Sequence, residues 1–218
     1  MQSQGDVWSF MIEQRSIDTQ ITSARILYYD FFANLFLYEL LVQNHEVLAK
    51  QAGFLAQYPL NEGDEEVFAK IGGHLEDALK EGLENSPIVD EYTRLFMFAF
   101  GEGQKMVSLY LSHYKEGCMG GKSLVWVKDM LKESGFFLNK DFSKENEDQL
   151  GVLCLFMKHL LQKGEVQKSN AVYKDAIAEI KEHVISELES HKAGVFYRQV
   201  GEILRSFCLL EDSLCGLI

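Results

Sequence analysis

Apolar residues recur every three or four positions along most of the chain, and no stretch alternates apolar and polar residues for long. Because that spacing places apolar side chains on one face of an α-helix, it predicts helices and no sustained β-strand. One apolar set advances from Ile17 to Tyr38, and a second set from Ile26 to Leu40 covers another side of the same predicted helix. We expect a helix that is apolar on two sides to lie at the centre of the fold.

Shorter helices are predicted after it, over residues 45–57, 62–83, 86–100, 123–133, 146–161, 173–188 and 196–214. Ser86 and Pro87 are the residue types expected at the N-cap and at the first position of a helix. Asn146, followed three positions later by Gln149, predicts a capping box of the Asn/Gln kind. The helix that follows Asn146 is apolar on more than one side, which predicts a second buried helix.

Together these segments predict an all-α fold, a single-domain multi-helix bundle of about eight to ten helices. The domain is expected to cover residues 1–218, because no segment has the composition of a free linker. The irregular, glycine-rich segment 101–121 is long for a plain connection, and a division into two halves at this segment stays open.

Six consecutive apolar residues, LFMFAF, end the predicted 86–100 helix. Tyr92, Leu95 and Phe96 fall on the face predicted to point inward. The side chains of the run that point elsewhere are those of Met97, Phe98 and Phe100. Either a second layer of the protein covers these three, or they form a surface to which an adaptable peptide partner binds. The pattern alone favours burial, because two-sided burial is common in helical domains.

The charge balance excludes some partners and favours others. The chain of 218 residues has 21 Lys and Arg against 33 Asp and Glu, a net charge of −12. Such a charge repels phosphate backbones, so it argues against nucleic acid and against a helix-turn-helix regulator, which needs a basic recognition helix. It attracts basic peptides.

The expected cellular location follows from three features that the sequence lacks: a membrane-spanning run, a signal peptide and a CxxC pair. No apolar run approaches the ~20 residues that span a bilayer, and the N-terminal residues do not resemble a signal peptide. The four cysteines, Cys118, Cys154, Cys208 and Cys215, form no CxxC pair. We therefore expect a cytoplasmic protein without stable membrane insertion, with reduced thiols packed as small apolar groups, although one disulfide pair stays open.

Signatures of catalysis are scarce. The sequence has no phosphate loop, no HExxH, no GxSxG and no dinucleotide fingerprint. Acidic residues and histidines recur every four positions from Asp175 to His191, but such a ladder spirals around a helix and predicts a solvated face, not a metal site. His159 is expected to pack with a hydrogen bond, and Glu145, Glu147 and Asp148 favour the start of a helix over an acid–base pair. We expect no enzymatic activity, no cofactor and no metal.

Five segments in a fixed order resemble one known family. They are Glu91–Phe96, Val107–Leu111 and Glu145–Gly151, supported by Tyr29–Phe36 and Phe196–Glu202. The chain resembles the TorD/DmsD/NarJ family of bacterial redox-enzyme maturation chaperones over about residues 20–210. Where the family has Gly-Pro after its Leu-Phe pair, this chain has Met97-Phe98. Where it has Pro and His in its Glu-Pro-x-Asp-His motif, this chain has Asn146 and Gln149, and it retains Asp148.

The resemblance implies a TorD/DmsD-like all-α chaperone that binds the twin-arginine signal peptide of a molybdoenzyme precursor. The client would be of the formate dehydrogenase, dimethyl sulfoxide or trimethylamine N-oxide reductase, or nitrate reductase type. The chaperone would hold it from export until the cofactor is inserted, as a monomer or a helix-swapped dimer. The predicted peptide-binding residues are Tyr92, Leu95, Phe96, Met97, Phe98, Phe100, Tyr110, Glu145, Asp148 and Gln149. The alternative from the residues is a helical sensor or enzyme with a small ligand.

Overall fold

The computed structural model describes residues 4–82, 86–98, 105–192 and 194–218, with side chains from residue 17 onward. Helices dominate, and the described residues contain no β-strand. The helices are α1 Gln4–Phe36, α2 Tyr38–Gln43, α3 His45–Leu55, α4 Asp64–Glu81, α5 Pro87–Tyr92, α6 Leu111–Glu116, α7 Lys122–Glu133, α8 Leu150–Gln162, α9 Val166–Val172, α10 Ala178–Ser190 and α11 Phe196–Cys215. A π-helical turn, Tyr173–Ile177, joins α9 to α10, so the described residues form 10 continuous helices, within the predicted number.

Helices α1 and α8 form the centre of the fold, as the two-sided apolar patterns predicted. Every residue from Phe31 to Leu37 is buried, and so is every residue from Leu150 to Cys154. One apolar core takes side chains from both sides of the 101–121 segment, from Tyr28 to Cys215. In the described part of the chain, no helix combines the length and apolar character needed to cross a bilayer.

The predicted single helix over residues 17–40 is interrupted at Leu37, whose backbone is extended at φ −106° and ψ 118°. The two carbonyl groups before the break accept hydrogen bonds from side chains of distant helices. The Tyr197 hydroxyl donates to the Leu35 carbonyl at 2.7 Å, and the Tyr92 hydroxyl donates to the Phe36 carbonyl at 3.0 Å. These tertiary bonds satisfy carbonyls that a helix end leaves unpaired, so α1 ends where apolar spacing alone would continue it.

An ion pair inside the core joins α1 to α11. Arg25 and Glu211 are both buried, and the Arg25 Nε and Nη2 atoms donate to the two Glu211 carboxylate oxygens at 2.6 and 2.9 Å. The Tyr29 hydroxyl donates to the same carboxylate at 2.7 Å. Such a bidentate and fully hydrogen-bonded arrangement is what a buried ion pair needs to offset the loss of hydration.

The predicted start of α5 is confirmed, because the Ser86 hydroxyl accepts a hydrogen bond from the Ile88 amide and Pro87 opens the helix. Beyond Tyr92 the helix widens into a π-helical turn, Thr93–Met97, and it ends at Phe98, whose backbone is extended. The helix therefore stops before the predicted end at residue 100. Phe100 lies outside the described residues.

The capping box predicted at Asn146 is wrong. Helix α8 begins at Leu150, and its N-cap is Gln149, whose side-chain oxygen accepts from the Gly151 and Val152 amides. The chain before Gln149 is not helical, because the Asp148 carbonyl pairs with the Leu111 amide at 3.1 Å. The 101–121 segment, predicted to be irregular, contains the six-residue helix α6, which is too short for a periodic pattern to reveal.

Candidate functional site

Three large apolar side chains are exposed where α5 ends, and we call them the apolar surface. Met97 is 42% exposed, Phe98 is 55% exposed and Met106 is 48% exposed. The Val107 amide donates to the Leu95 carbonyl at 2.8 Å, which brings the segment of Met106 back beside the end of the π-helical turn. Met97 and Phe98 point away from the inward stripe, as predicted. The burial that the pattern favoured for them is wrong, because no second layer covers either side chain fully. Met106 was not predicted, because it follows a loop and has no periodic neighbours.

Behind the apolar surface lies a layer of packed aromatic rings. Tyr92 and Leu95 are buried and Phe96 is half-buried, in agreement with their place on the inward stripe. The Phe96 ring lies 4.8 Å from the Tyr92 ring and 4.9 Å from the Tyr197 ring, both edge to face. This geometry is favourable for aromatic pairs. The three inward residues therefore support the apolar surface from inside the protein.

A non-helical segment, residues 105–110, leads from the apolar surface to a group of polar residues. Tyr110 pairs with Gln149 in an isolated antiparallel bridge, in which the Leu150 amide donates to the Leu109 carbonyl at 2.8 Å. The bridge brings the chain around Tyr110 against the chain from residue 145 to residue 150. Two of the sequence segments that resembled the chaperone family are thus neighbours in the fold.

Asp148 and Gln149 are buried and take part in the fold itself. The Asp148 Oδ2 atom accepts from the Ser112 amide at 2.9 Å, near the N-terminus of α6, where a negative charge is favourable. The Gln149 Nε2 atom donates to the Phe36 carbonyl at 2.5 Å. The sequence did not predict these packing roles, because both partners are distant along the chain. Client binding by Asp148 and Gln149 stays a prediction.

Tyr110 and Glu145 form the half-buried outer part of this polar group. The Tyr110 hydroxyl donates a hydrogen bond to the Glu145 carboxylate. Burial, this hydrogen bond and the negative charges of Glu145, Asp148 and Glu39 raise the pKa of Tyr110 well above its ordinary value. Tyr110 is therefore a neutral hydrogen-bond donor surrounded by carboxylates. Glu39, near the start of α2, was not identified from the sequence.

The acidic ladder of α10 forms separate contacts with α6 and does not converge. Glu179 pairs with Lys115 at 3.4 Å, the His183 ring stacks on the Tyr114 ring at 4.9 Å, and Glu187 accepts from the Tyr114 hydroxyl at 3.2 Å. Within the described residues, no three histidine, cysteine or acidic side chains are placed to hold one metal ion.

Two other sequence predictions agree with the structure. His159 is half-buried, and its Nε2 atom lies 3.3 Å from the Ser134 carbonyl oxygen, as expected of a packing histidine.

The four cysteines are free thiols, and only Cys118 is exposed. Burial raises the pKa of Cys208 to about 12, so this thiol stays protonated and unreactive at neutral pH.

Comparison with known proteins identifies a family for the chain. Residues 57–193 match the model of the family described as nitrate reductase delta subunit. No curated protein matches the sequence. The matched range contains the apolar surface, Tyr110, Glu145 and Gln149, but not Glu39. The match covers more than half of the 218 residues. The chain therefore belongs to the nitrate reductase delta subunit family, the NarJ/TorD type of redox-enzyme maturation chaperones.

Proposed function

We propose that this protein is a cytoplasmic chaperone that binds the twin-arginine signal peptide, or another N-terminal segment, of a molybdopterin-dependent oxidoreductase precursor. It holds the precursor from export until the cofactor has been inserted, and it catalyses no reaction itself. Membership of a family that acts on molybdoenzyme precursors supports the class of client.

The observation that carries the proposal is the exposed apolar surface. Met97, Phe98 and Met106 present flexible thioethers and an aromatic ring, side chains that adapt to varied apolar partners. What sets them apart from single exposed apolar residues is that they lie together where α5 ends, and exposed apolar patches are typical of protein-interaction sites. An apolar stretch of a client peptide is a suitable partner.

The polar group at Tyr110 supports an arginine-bearing client. Residues 106 and 110 are four positions apart, so their Cα atoms are separated by at most about 14 Å. A peptide of about four extended residues spans that length. A client with arginines at one end and apolar residues at the other therefore fits both places at once, with Glu145 and Asp148 facing the positive charges.

The proposal is tested with a labelled synthetic peptide that contains two consecutive arginines followed by an apolar stretch. Binding is measured by fluorescence anisotropy for the wild type, for Phe98→Ser and for Phe137→Ser. Phe137 is a matched control, because it is 75% exposed and lies in the loop between α7 and α8. We expect Phe98→Ser to weaken binding about tenfold, the loss of one well-placed apolar anchor, and Phe137→Ser to leave it unchanged. Equal affinities for the two variants would contradict the assigned surface.

A further inference from the structure

Positively charged side chains lie next to the apolar surface. The Phe98 amide donates to the Thr93 carbonyl at 3.0 Å, so Phe98 lies one helical turn beyond Thr93 and its neighbour Arg94. Lys105 directly precedes Met106, and the side chains of Arg94 and Lys105 are both exposed. Each of the two chain segments that form the apolar surface therefore also presents a cation to solvent.

A third cation, Lys192, comes from the end of α10. The His191 Nε2 atom lies 3.1 Å from the Lys105 carbonyl oxygen. The chain that leaves α10 therefore lies against the segment of Met106. Lys192 directly follows His191, and its side chain is exposed.

Hydrogen bonds hold the three cation-bearing segments against one another. The Glu91 carboxylate in α5 accepts from the amides of residues 195–197 at 2.8–3.1 Å, which fixes the chain between α10 and α11 to α5. The Val107 amide donates to the Leu95 carbonyl, which fixes the segment of Met106 to the π-helical turn. We call the three cations beside the apolar surface the basic rim, which consists of Arg94, Lys105 and Lys192.

The protein itself does not neutralise the basic rim. Across the described residues, none of its three side chains forms an ion pair with a carboxylate. The Arg94 Nε atom donates to the Asp90 backbone carbonyl at 3.3 Å and not to a carboxylate. Lysines elsewhere on the surface do form pairs, as Lys50 does with Glu46 at 2.6 Å. In a chain with 33 acidic against 21 basic residues, the basic rim is a local region of opposite charge.

We infer that the basic rim binds acidic side chains of the same client segment whose apolar residues cover the apolar surface. This specificity deepens the proposed function and rests on it. Exposed cations beside an apolar patch attract a partner that carries carboxylates next to its apolar residues, and they repel a partner that carries arginine or lysine there. The guanidinium of Arg94 has the geometry to bind both oxygens of one carboxylate.

The basic rim also gives the bound segment a direction. Lys105 precedes Met106, whereas Tyr110, which donates to Glu145, follows Met106 by four positions. The acidic residues of the client therefore lie at the Lys105 end and its arginines at the Tyr110 end, with the apolar residues between them. A segment bound in the opposite direction would place like charges together at both ends.

The test uses two labelled peptides with amidated C-termini, each with two arginines followed by the same apolar stretch. One peptide ends in two glutamates and the other in two glutamines, so the two differ in charge and hardly in shape. Binding to the full-length protein is measured by fluorescence anisotropy at about 50 mM and about 500 mM salt. We expect the glutamate peptide to bind about fivefold more tightly at the lower salt concentration. This preference should shrink at the higher concentration, because salt screens exposed charges.

An exchange of charge tests the assigned residues. Lys105→Glu should abolish the preference for the glutamate peptide and should bind a third peptide, which ends in two lysines, about fivefold more tightly than the wild type does. Lys174→Glu is the matched control, because Lys174 is also exposed and the change in net charge is the same. The Tyr173 hydroxyl donates to the Cys208 carbonyl at 3.1 Å, so Lys174 lies beside the C-terminal half of α11, away from the basic rim. This control should keep the preference of the wild type.

Three results would overturn the acidic specificity. The first is equal binding of the glutamate and glutamine peptides at the lower salt concentration, and the second is the same response of Lys105→Glu and Lys174→Glu. The third is sedimentation of the wild type with phosphatidylglycerol vesicles that is lost in Lys105→Glu, without any preference between the peptides. That result would assign the basic rim to an anionic lipid surface.

The failure of this specificity differs from the failure of the proposed function. Equal binding of both peptides, weakened for both by Phe98→Ser, keeps the function and loses the specificity. Binding of the glutamate peptide that is equally strong after its two arginines are replaced by glutamines keeps the specificity and loses the twin-arginine client.

Discussion

Gln149 and Phe36 are 113 positions apart in the chain, yet the Gln149 side-chain amide donates a 2.5 Å hydrogen bond to the Phe36 carbonyl. The other end of the same amide caps α8 by accepting from the Gly151 and Val152 amides. One buried side chain thus joins the end of α1 to the start of α8, the two central helices. Gln149 stands where the family's Glu-Pro-x-Asp-His motif has its histidine, and in this chain it joins α1 to α8.

Replacement of Gln149 by alanine should therefore destabilise the protein. It removes the α8 cap and leaves the Phe36 carbonyl with only the Tyr92 hydroxyl, so we expect a loss of about 1–3 kcal/mol. Asn146→Ala is the matched control, because the sequence predicted a cap there and the structure shows none. Urea denaturation followed by circular dichroism measures both. Equal stabilities of the two variants would mean that Gln149 does not cap α8.

Gly151 lies where α8 approaches the end of α1 most closely. A Cβ atom at this position would be 2.8 Å from the Leu37 Cγ atom and 3.0 Å from the Phe36 carbonyl carbon. Gly151→Ala should cost about 1–3 kcal/mol, although alanine favours helices. Gly73→Ala, inside α4 and without any atom within 4 Å of the new Cβ, should instead stabilise by about 0.5–1 kcal/mol. Thermal denaturation distinguishes the two, and a stabilising Gly151→Ala would show that the helices separate easily.

The buried ion pair between Arg25 and Glu211 should be sensitive to loss of one partner. Arg25→Met leaves the Glu211 charge in the core, and we expect a loss of about 3–5 kcal/mol. Lys50→Met breaks the exposed pair with Glu46 and should cost at most about 0.5 kcal/mol. Chemical denaturation at neutral pH gives both values. A small effect for Arg25→Met would indicate that water reaches Glu211.

His45 should make the stability depend on pH. Burial lowers the pKa of His45 in the folded state, so the unfolded chain takes up the proton first as the pH falls below about 6.5. Stability from this group is present above that pH and declines toward pH 5, with a slope of at most about 1.4 kcal/mol per pH unit. His45→Gln should reduce the slope, and the exposed His113→Gln should not. Unfolding midpoints measured from pH 7.5 to pH 5 test this, and equal slopes in the two variants would exclude His45.

Helices and the central position of α1 and α8 were predictable because apolar periodicity reports burial directly. The start of α5 was predictable because Ser86 and Pro87 act on their own backbone. The break at Leu37 was not, because it depends on the Tyr92 and Tyr197 side chains, more than 50 positions away. Nor was the choice of Gln149 as the cap, because the Phe36 carbonyl, 113 positions away, holds the Gln149 side chain. Local patterns contain no information on such partners.

The sequence singled out some residues of the candidate site and missed others. The apolar run singled out Met97 and Phe98, but its pattern favoured their burial, because periodicity does not distinguish a covered second face from an exposed one. Met106 and Glu39 were missed, because a single methionine after a loop and a single glutamate early in a helix are ordinary in sequence. Only the fold shows that the segment of Met106 returns to the π-helical turn that contains Met97, and that Glu39 has a buried oxygen without a hydrogen-bond partner.

Capture from the host tests whether the apolar surface binds the N-terminal segment of a molybdoenzyme precursor. Tagged wild type and Phe98→Ser are each purified from host cytosol under conditions that express the oxidoreductases, and co-purified chains are identified by mass spectrometry. We expect the wild type to recover a precursor with its signal peptide intact and Phe98→Ser to recover much less. Absence of any such precursor, or equal recovery by both proteins, would contradict it.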